Sequence, residues 1–255
     1  MSMTVSPGTP PQPVWQAAPG VYTLPPGEVQ VWRAALDIDP QTLERLRATL
    51  AAEEQARAER FHSPLGRARF AAGRGILRAL LARYLGVKAG DLRFCTNAHG
   101  KPALDPGSGT ADLRFNLSHS QGLALFAFAL RREVGVDLEF VRPSLRDDRL
   151  AERFFSPQEV AALRALPPDA QTEAFFHCWT RKEAYIKARG EGLSINLASF
   201  AVSLAPDALT SLPITAIDDP EAGRWSLRAL NPGGGCVGAI AAEGADWSLS
   251  LWQWE

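Results

Sequence analysis

The run Val134-Gly135-Val136-Asp137-Leu138-Glu139-Phe140 decides how this chain is organised. In an extended backbone it sends Val136, Leu138 and Phe140 to one side and Asp137 and Glu139 to the other, because side chains alternate with a period of two. The result is a strand with one apolar face and a pair of carboxylates on the opposite face. A second run, Trp179-Thr180-Arg181-Lys182-Glu183-Ala184-Tyr185-Ile186-Lys187, reads as helix. On it Glu183 and Lys187 stand four apart and therefore share a face. Three carboxylates from two elements, bordered by lysines, can hold a hard divalent cation and a substrate phosphate together.

The bulk composition narrows the class. The chain has 255 residues, enough for one large domain or two of ordinary size, and 46% hydrophobic content supplies a core without disulfides. Cys95, Cys178 and Cys236 are scattered and lack metal-ligand spacing, which suits a reducing, cytoplasmic setting. Prolines near the N-terminus occupy the place where a signal peptide needs an apolar centre. The longest apolar run, residues 122–130, is too short to span a bilayer. A formal net charge of −1 argues against a general nucleic-acid binder. We therefore expect neither a membrane nor a nucleic acid as partner.

Residues 1–27 carry seven prolines (7, 10, 11, 13, 19, 25 and 26) and read as a flexible, irregular arm, because proline withholds a donor and fixes φ. Residues 28–36 alternate like a strand. Residues 40–60 have helix composition and spacing throughout, and a second helix is expected over residues 64–85, between Pro64 and Gly86. Short strands are expected at 92–96, 113–117 and 123–130. The second half restarts at Val134. Ser156-Pro157-Gln158-Glu159 is a capping box with proline at the first helical position. A longer helix over 169–189 ends at Gly190, and strands follow at 200–204, 214–217, 225–230, 237–242 and 247–254.

Each half thus runs strand, helices, then antiparallel-type strands. This predicts an α+β fold of two similar α+β subdomains related by a pseudo-twofold axis, with the active site in the cleft between them. The expected division is an arm at 1–27, an N-terminal subdomain at 28–131 and a C-terminal subdomain at 132–255.

An isolated Asp-x-Glu is an ordinary polar strand face, and a surface Glu–Lys pair adds only about 0.2–0.5 kcal/mol to a helix. What makes this pair specific is the combination with a Trp-x-x-Lys-Glu-x-x-x-Lys run that places Glu183 46 positions (183 − 137) after Asp137. Local charge points the same way. Residues 57–88 contain eight basic residues against one acid, Glu59, and Arg67, Arg74 and Arg78 share a helical face. That excess reads as an anion site.

Gly135-Val136-Asp137-Leu138-Glu139, together with Phe176-His177-Cys178-Trp179-Thr180-Arg181-Lys182-Glu183-Ala184-Tyr185-Ile186-Lys187, resembles the signature of the 4′-phosphopantetheinyl transferases. The length and duplicated layout resemble the large, pseudodimeric Sfp-type branch. The resemblance covers all but the proline-rich arm. It implies Mg²⁺ held by Asp137, Glu139 and Glu183. It further implies transfer of 4′-phosphopantetheine from coenzyme A to a serine of an apo acyl or peptidyl carrier protein, by a monomer. Phe115-Asn116-Leu117-Ser118-His119-Ser120 is similar to the family segment whose serine and histidine meet the coenzyme A phosphates, and Ser118-His119-Ser120 is expected in a loop after a strand end. Gly100-Lys101-Pro102 is similar to the adenine-side loop. Arg57 and Arg69 are the nearest matches to the basic residues at the 3′-phosphate, whereas Glu54 stands where a further lysine would. By the same resemblance Glu183 is the candidate base, Lys187 faces the leaving oxygen, and Lys182 joins His119 on the diphosphate. Two alternatives of other classes are a metal-dependent nuclease and a non-catalytic coenzyme A or carrier-binding module.

Overall fold

The computed structural model describes residues 14–108, 112–142, 148–206 and 212–255. The strands are β1 (Gln16–Ala17), β2 (Glu28–Ala35), β3 (Phe94–Thr96), β4 (Pro102–Leu104), β5 (Leu113–Ser120), β6 (Leu123–Leu130), β7 (Val134–Phe140), β8 (Phe200–Ala201), β9 (Leu212–Pro213), β10 (Thr215–Ala216), β11 (Trp225–Gly233), β12 (Cys236–Glu243) and β13 (Ser248–Gln253). The helices are α1 (Pro40–Arg47), α2 (Ala52–Glu59), α3 (Pro64–Leu85), α4 (Asp148–Phe154), α5 (Pro157–Ala165) and α6 (Pro168–Arg189). The architecture is α+β.

The two halves repeat one topology. In the first, β2 pairs antiparallel with β6, and β6 with β5; in the second, β7 pairs antiparallel with β12, and β12 with β11. Each half also has a 22-residue helix that starts on a proline and ends on a left-handed glycine, Gly86 after α3 and Gly190 after α6. Both glycines sit at φ near +70°, which an L side chain resists.

Alternation along the strands builds three cores. Trp32, Ala34, Phe126 and Phe128 face α3, which buries Ile76, Leu77, Leu80 and Leu81 against them. The opposite face of the same strands carries Val29, Val31, Leu125 and Ala127, which pack on Val134, Val136, Leu138 and Ile240 of the second sheet. The outer face of that sheet, with Leu227, Ala239 and Ala241, meets Ala184, Tyr185 and Ala188 of α6. The order of layers is therefore helix, sheet, sheet, helix. One face of β7 closes the central core and the other looks at α6.

Three sequence expectations change. Residues 40–60 form two helices, because Thr49 Oγ1 caps back to Leu46 O (2.7 Å) and the chain re-enters helix at Ala52. There the Glu54 carboxylate accepts from Ala51 N (3.0 Å) and pairs with Arg74 and Arg78, a tertiary contact that helix propensity does not register. Residues 14–27 of the arm are held in place: Trp15 Nε1 donates to Asn231 O (2.7 Å), the Tyr22 ring stacks on Trp32 at 5.1 Å, and β1 pairs parallel with β13. Residues 1–13 lie outside the described residues. Finally, β13 leaves the second half and inserts between β1 and β2, parallel to both, so a division at residue 131 does not separate the sheets.

Gly135 sets the approach of α6. A Cβ there would collide with Ala184 O and Ala188 N, backbone atoms that cannot swing aside. Gly135→Ala should therefore cost about 3 kcal/mol through overpacking, whereas Gly90→Ala, with open space around it, should change stability by less than about 0.5 kcal/mol. Chemical denaturation of the two variants checks this; equal effects would contradict the close seating of α6 on β7.

Candidate active site

Asp137 and Glu139 follow Gly135 at steps of two and therefore share its face, the one that looks at α6. The helix crosses at Ala184 and Ala188, which brings Glu183 and Lys187 alongside the two carboxylates. Leu117, Ser118, His119, Asp137, Glu139, Trp179, Glu183 and Lys187 line a cleft of about 430 Å³.

The wall opposite α6 is β5, which has no backbone ladder to β7. Every second side chain bridges the gap instead. Asn116 Oδ1 accepts from Val136 N (2.9 Å), Ser118 Oγ donates to Asp137 Oδ1 (2.9 Å), and Ser120 Oγ donates to Glu139 Oε2 (3.2 Å) while accepting from Phe140 N (3.2 Å). The backbone ladder of β5 to β6 continues through Ser120 and does not end at Leu117, so Ser118-His119-Ser120 is strand and not loop. Asn116 and Ser120 were not singled out from the sequence; the period-two polar pattern Asn116-x-Ser118-x-Ser120 was the available signal.

Lys187 Nζ donates to Asp137 Oδ1 (2.6 Å) and Ser118 Oγ (3.0 Å), so three elements meet at one carboxylate. Asp137 is buried, and its other oxygen, Oδ2, is buried with no hydrogen-bond partner. A buried carboxylate oxygen without a donor is costly unless a cation completes it. Glu183 is pushed up to about 7, first by loss of water, then by the Asp137 and Glu139 charges against the opposing pull of Lys187. Glu139 is raised for the same reasons, burial and then Asp137. The site thus holds more negative charge than its single lysine balances. No group of three His, Cys, Asp or Glu side chains among the described residues is arranged to hold a metal ion. Mg²⁺ does not require such a group, because it commonly takes one or two carboxylates and completes its octahedron with water and phosphate oxygens. The all-oxygen donor set, the orphaned Oδ2 and the raised carboxyl groups fit such an ion.

His119 lines the same cleft, and its pKa is lowered by loss of water and then by the nearby Lys187 and Arg69 charges. Six of the expected site residues are therefore together: Ser118, His119, Asp137, Glu139, Glu183 and Lys187. Others are not. Lys182 is fully buried away from the cleft, with Nζ on Glu159 Oε2 (2.8 Å), Leu197 O (2.7 Å) and Phe200 O (2.8 Å), which corrects its expected contact with the diphosphate. One position along a helix is a turn of about 100°, so Lys182 and Glu183 cannot face the same way. Lys101 also directs its amine inward, onto Glu133 Oε2 (2.7 Å) and Ala188 O (2.9 Å). Gly100 turns the chain at φ +85° and Pro102 opens β4; neither lines the cleft. Arg57 lies over the Phe70 ring at 5.5 Å, and Arg69 is bidentate to Asp37 at 2.7 Å. The three arginines of the expected anion face have partners within the protein: Arg74 and Arg78 hold Glu54, and Arg67 Nη1 donates to Phe61 O (2.9 Å).

Because the fold raises the Glu183 pKa, its ionisation opposes folding. The penalty is absent below the ordinary carboxyl value of 4.5 and complete above about 7. In the presence of a chelator, Glu183→Gln should melt higher than wild type at pH 8, and the difference should vanish as the pH falls to the ordinary carboxyl range. Melting curves across that range test it; a variant less stable than wild type at pH 8 would contradict the crowding of carboxylates.

Two family profiles match the chain in tandem: "4'-phosphopantetheinyl transferase, N-terminal" over residues 37–130 and "4'-phosphopantetheinyl transferase superfamily" over residues 133–241. The 4'-phosphopantetheinyl transferase HetI of Nostoc sp. is 42% identical over 243 residues, covering 95% of this chain and 99% of its own. The 4'-phosphopantetheinyl transferase Sfp of Bacillus subtilis is 33% identical over 177 residues, 69% of this chain and 76% of its own. Among solved structures, an ACPS–CoA complex from Chronobacterium ammoniagenes aligns with a TM-score of 0.33 and 22% identity, covering 45% of this chain and 97% of its own. The chain belongs to the 4′-phosphopantetheinyl transferase superfamily.

Proposed function

We propose that this enzyme transfers the 4′-phosphopantetheine group of coenzyme A to a serine hydroxyl of an apo acyl or peptidyl carrier protein, with Mg²⁺ in the cleft, and releases adenosine 3′,5′-bisphosphate. The observation that carries the magnesium assignment is Asp137, paired on one oxygen with Lys187 and Ser118 and left without a donor on the other. Asp137, Glu139 and Glu183 would hold the ion, which when bound would offset the charge of the diphosphate.

The chain's own groups supply the rest. Lys187 and His119, on opposite walls of the cleft, would receive the diphosphate oxygens, with Ser118 on the same wall as His119. Glu183, which lines the cleft beside Asp137 and Glu139, is our candidate to take the serine proton. The serine oxygen forms a bond to the phosphorus nearer pantetheine. The bond from that phosphorus to the bridging oxygen breaks, and Lys187 stabilises the oxygen that leaves with the nucleotide. Positioning and charge stabilisation then account for the rate, as for phosphoryl transfer generally. Arg57, exposed beside Phe70, is our first candidate for the 3′-phosphate and Arg69 our second; the backbone of Gly100, Lys101 and Pro102 is our candidate for the adenine side.

We read the chain as a monomer whose second half stands in for a partner subunit. All three cysteines are free, which agrees with a cytoplasmic location, and no helix among the described residues is long and apolar enough to cross a membrane.

Incubation of the protein with coenzyme A, Mg²⁺ and a panel of apo carriers, followed by intact-mass measurement, tests the reading. One carrier should gain a single phosphopantetheine, and Asp137→Ala should slow that gain by about 10²–10³-fold or more. Mg²⁺ should also raise the melting temperature of the wild type and not that of Asp137→Ala. Near-normal turnover by the variant would defeat the metal assignment.

A further inference from the structure

The side chain of Lys101 belongs to the first half, yet it ends on the catalytic helix of the second. Its Nζ donates to Ala188 O (2.9 Å) in the last turn of α6, to Val134 O (3.2 Å) at the start of β7, and to Glu133 Oε2 (2.7 Å). Arg114 Nε holds the other oxygen of Glu133 (2.7 Å), fixing that carboxylate from β5. Asn97, four residues earlier, makes a second tie: Asn97 Nδ2 donates to Gly190 O (2.7 Å), just past the helix end. The loop between them is itself rigid, since Asn97 Oδ1 accepts from both His99 N and Lys101 N at 2.9 Å. Packing is tight as well. A Cβ on Gly190 would lie 2.9 Å from Lys101 Cδ and 3.0 Å from Asn97 Nδ2.

The last carbonyls of a helix lack intrahelical donors and carry partial negative charge, so an ammonium aimed at them both satisfies and orients the helix end. Ala188 follows Lys187 directly, and Glu183 lies little more than one turn earlier. A shift at the Ala188 end therefore moves the atoms that meet Asp137.

We propose that Lys101, seconded by Asn97 and Glu133, is a positioning residue that holds the C-terminal end of α6 from the first half and so keeps Glu183 and Lys187 in register with Asp137. This rests on the transfer reaction proposed above. It assigns the Lys101 amine to the interface between the halves and not to the substrate, in place of the direct nucleotide contact that the family resemblance suggested.

The test compares Lys101→Met, Glu133→Gln and the double variant in steady-state transfer, with backbone hydrogen exchange of residues 184–191 as a second readout. Lys101→Met should lower kcat by about ten- to a hundredfold, the scale of a small misplacement of reacting groups, and change KM for coenzyme A by less than about threefold. The double variant should be little worse than Lys101→Met alone, because both remove one tie. Exchange should quicken at residues 184–191 and stay unchanged within α3. A raised KM with intact kcat would return Lys101 to the substrate and overturn the proposal. So would a lowered melting temperature with kcat and local exchange unchanged, the sign of a merely structural pair. If Lys101→Met does not fold, Asn97→Asp, which keeps an acceptor for His99 N and Lys101 N and removes the donor to Gly190 O, is held to the same outcomes. Should the wild type modify no carrier, the functional reading fails, and hydrogen exchange alone still decides whether Lys101 fixes the helix end.

Discussion

The close seating of α6 on β7 at Gly135 is the constraint on which the site depends. Without a side chain at that position the helix backbone comes down onto the strand, and the next two residues on the same strand face, Asp137 and Glu139, fall beside Glu183 and Lys187. A larger residue would lift the helix and separate the lysine from its carboxylate. The central core holds the strand from the other side, so β7 cannot retreat. Packing of apolar faces thus fixes the distance between charged groups.

The electrostatics follow from that geometry. A buried aspartate with one oxygen paired and one orphaned, next to two carboxyl groups of raised pKa, is not a comfortable arrangement for a cation-free protein. Two other buried charges of the chain are balanced. Glu54 is matched by two arginines, and Lys182 by Glu159 and two carbonyls. Excess negative charge gathered at one cleft, in contrast to the matched charges of Glu54 and Lys182, makes that cleft a favourable place for a cation.

Much of this was legible in the sequence. The strand over residues 134–140 announced itself by alternation, and α3 and α6 by proline starts and glycine ends. Asp137, Glu139, Glu183 and Lys187 could be grouped because their spacings place them on defined faces. What could not be read depends on tertiary partners. The interruption after α1 lies in alanine-rich, helix-favouring sequence, where Thr49 bonds back to Leu46 O and Glu54 of the next helix reaches Arg74 and Arg78. The extension of β5 through Ser120 depends on its backbone ladder to β6, and the crossing of β13 into the first sheet has no local signature. Lys182 shows a different limit. Its neighbour in the motif is a site residue, but a step of one along a helix turns it into the core. Lys101 likewise sits in a motif-like loop whose backbone and side chain face different ways.

The most direct measurement is a crystal structure of the protein with Mg²⁺ and coenzyme A. The account predicts the ion on the Asp137 oxygen that now lacks a partner, with Glu183 or Glu139 beside it and the diphosphate between Lys187 and His119. An ion elsewhere, with Asp137 Oδ2 still without a partner and the diphosphate outside this cleft, would contradict it.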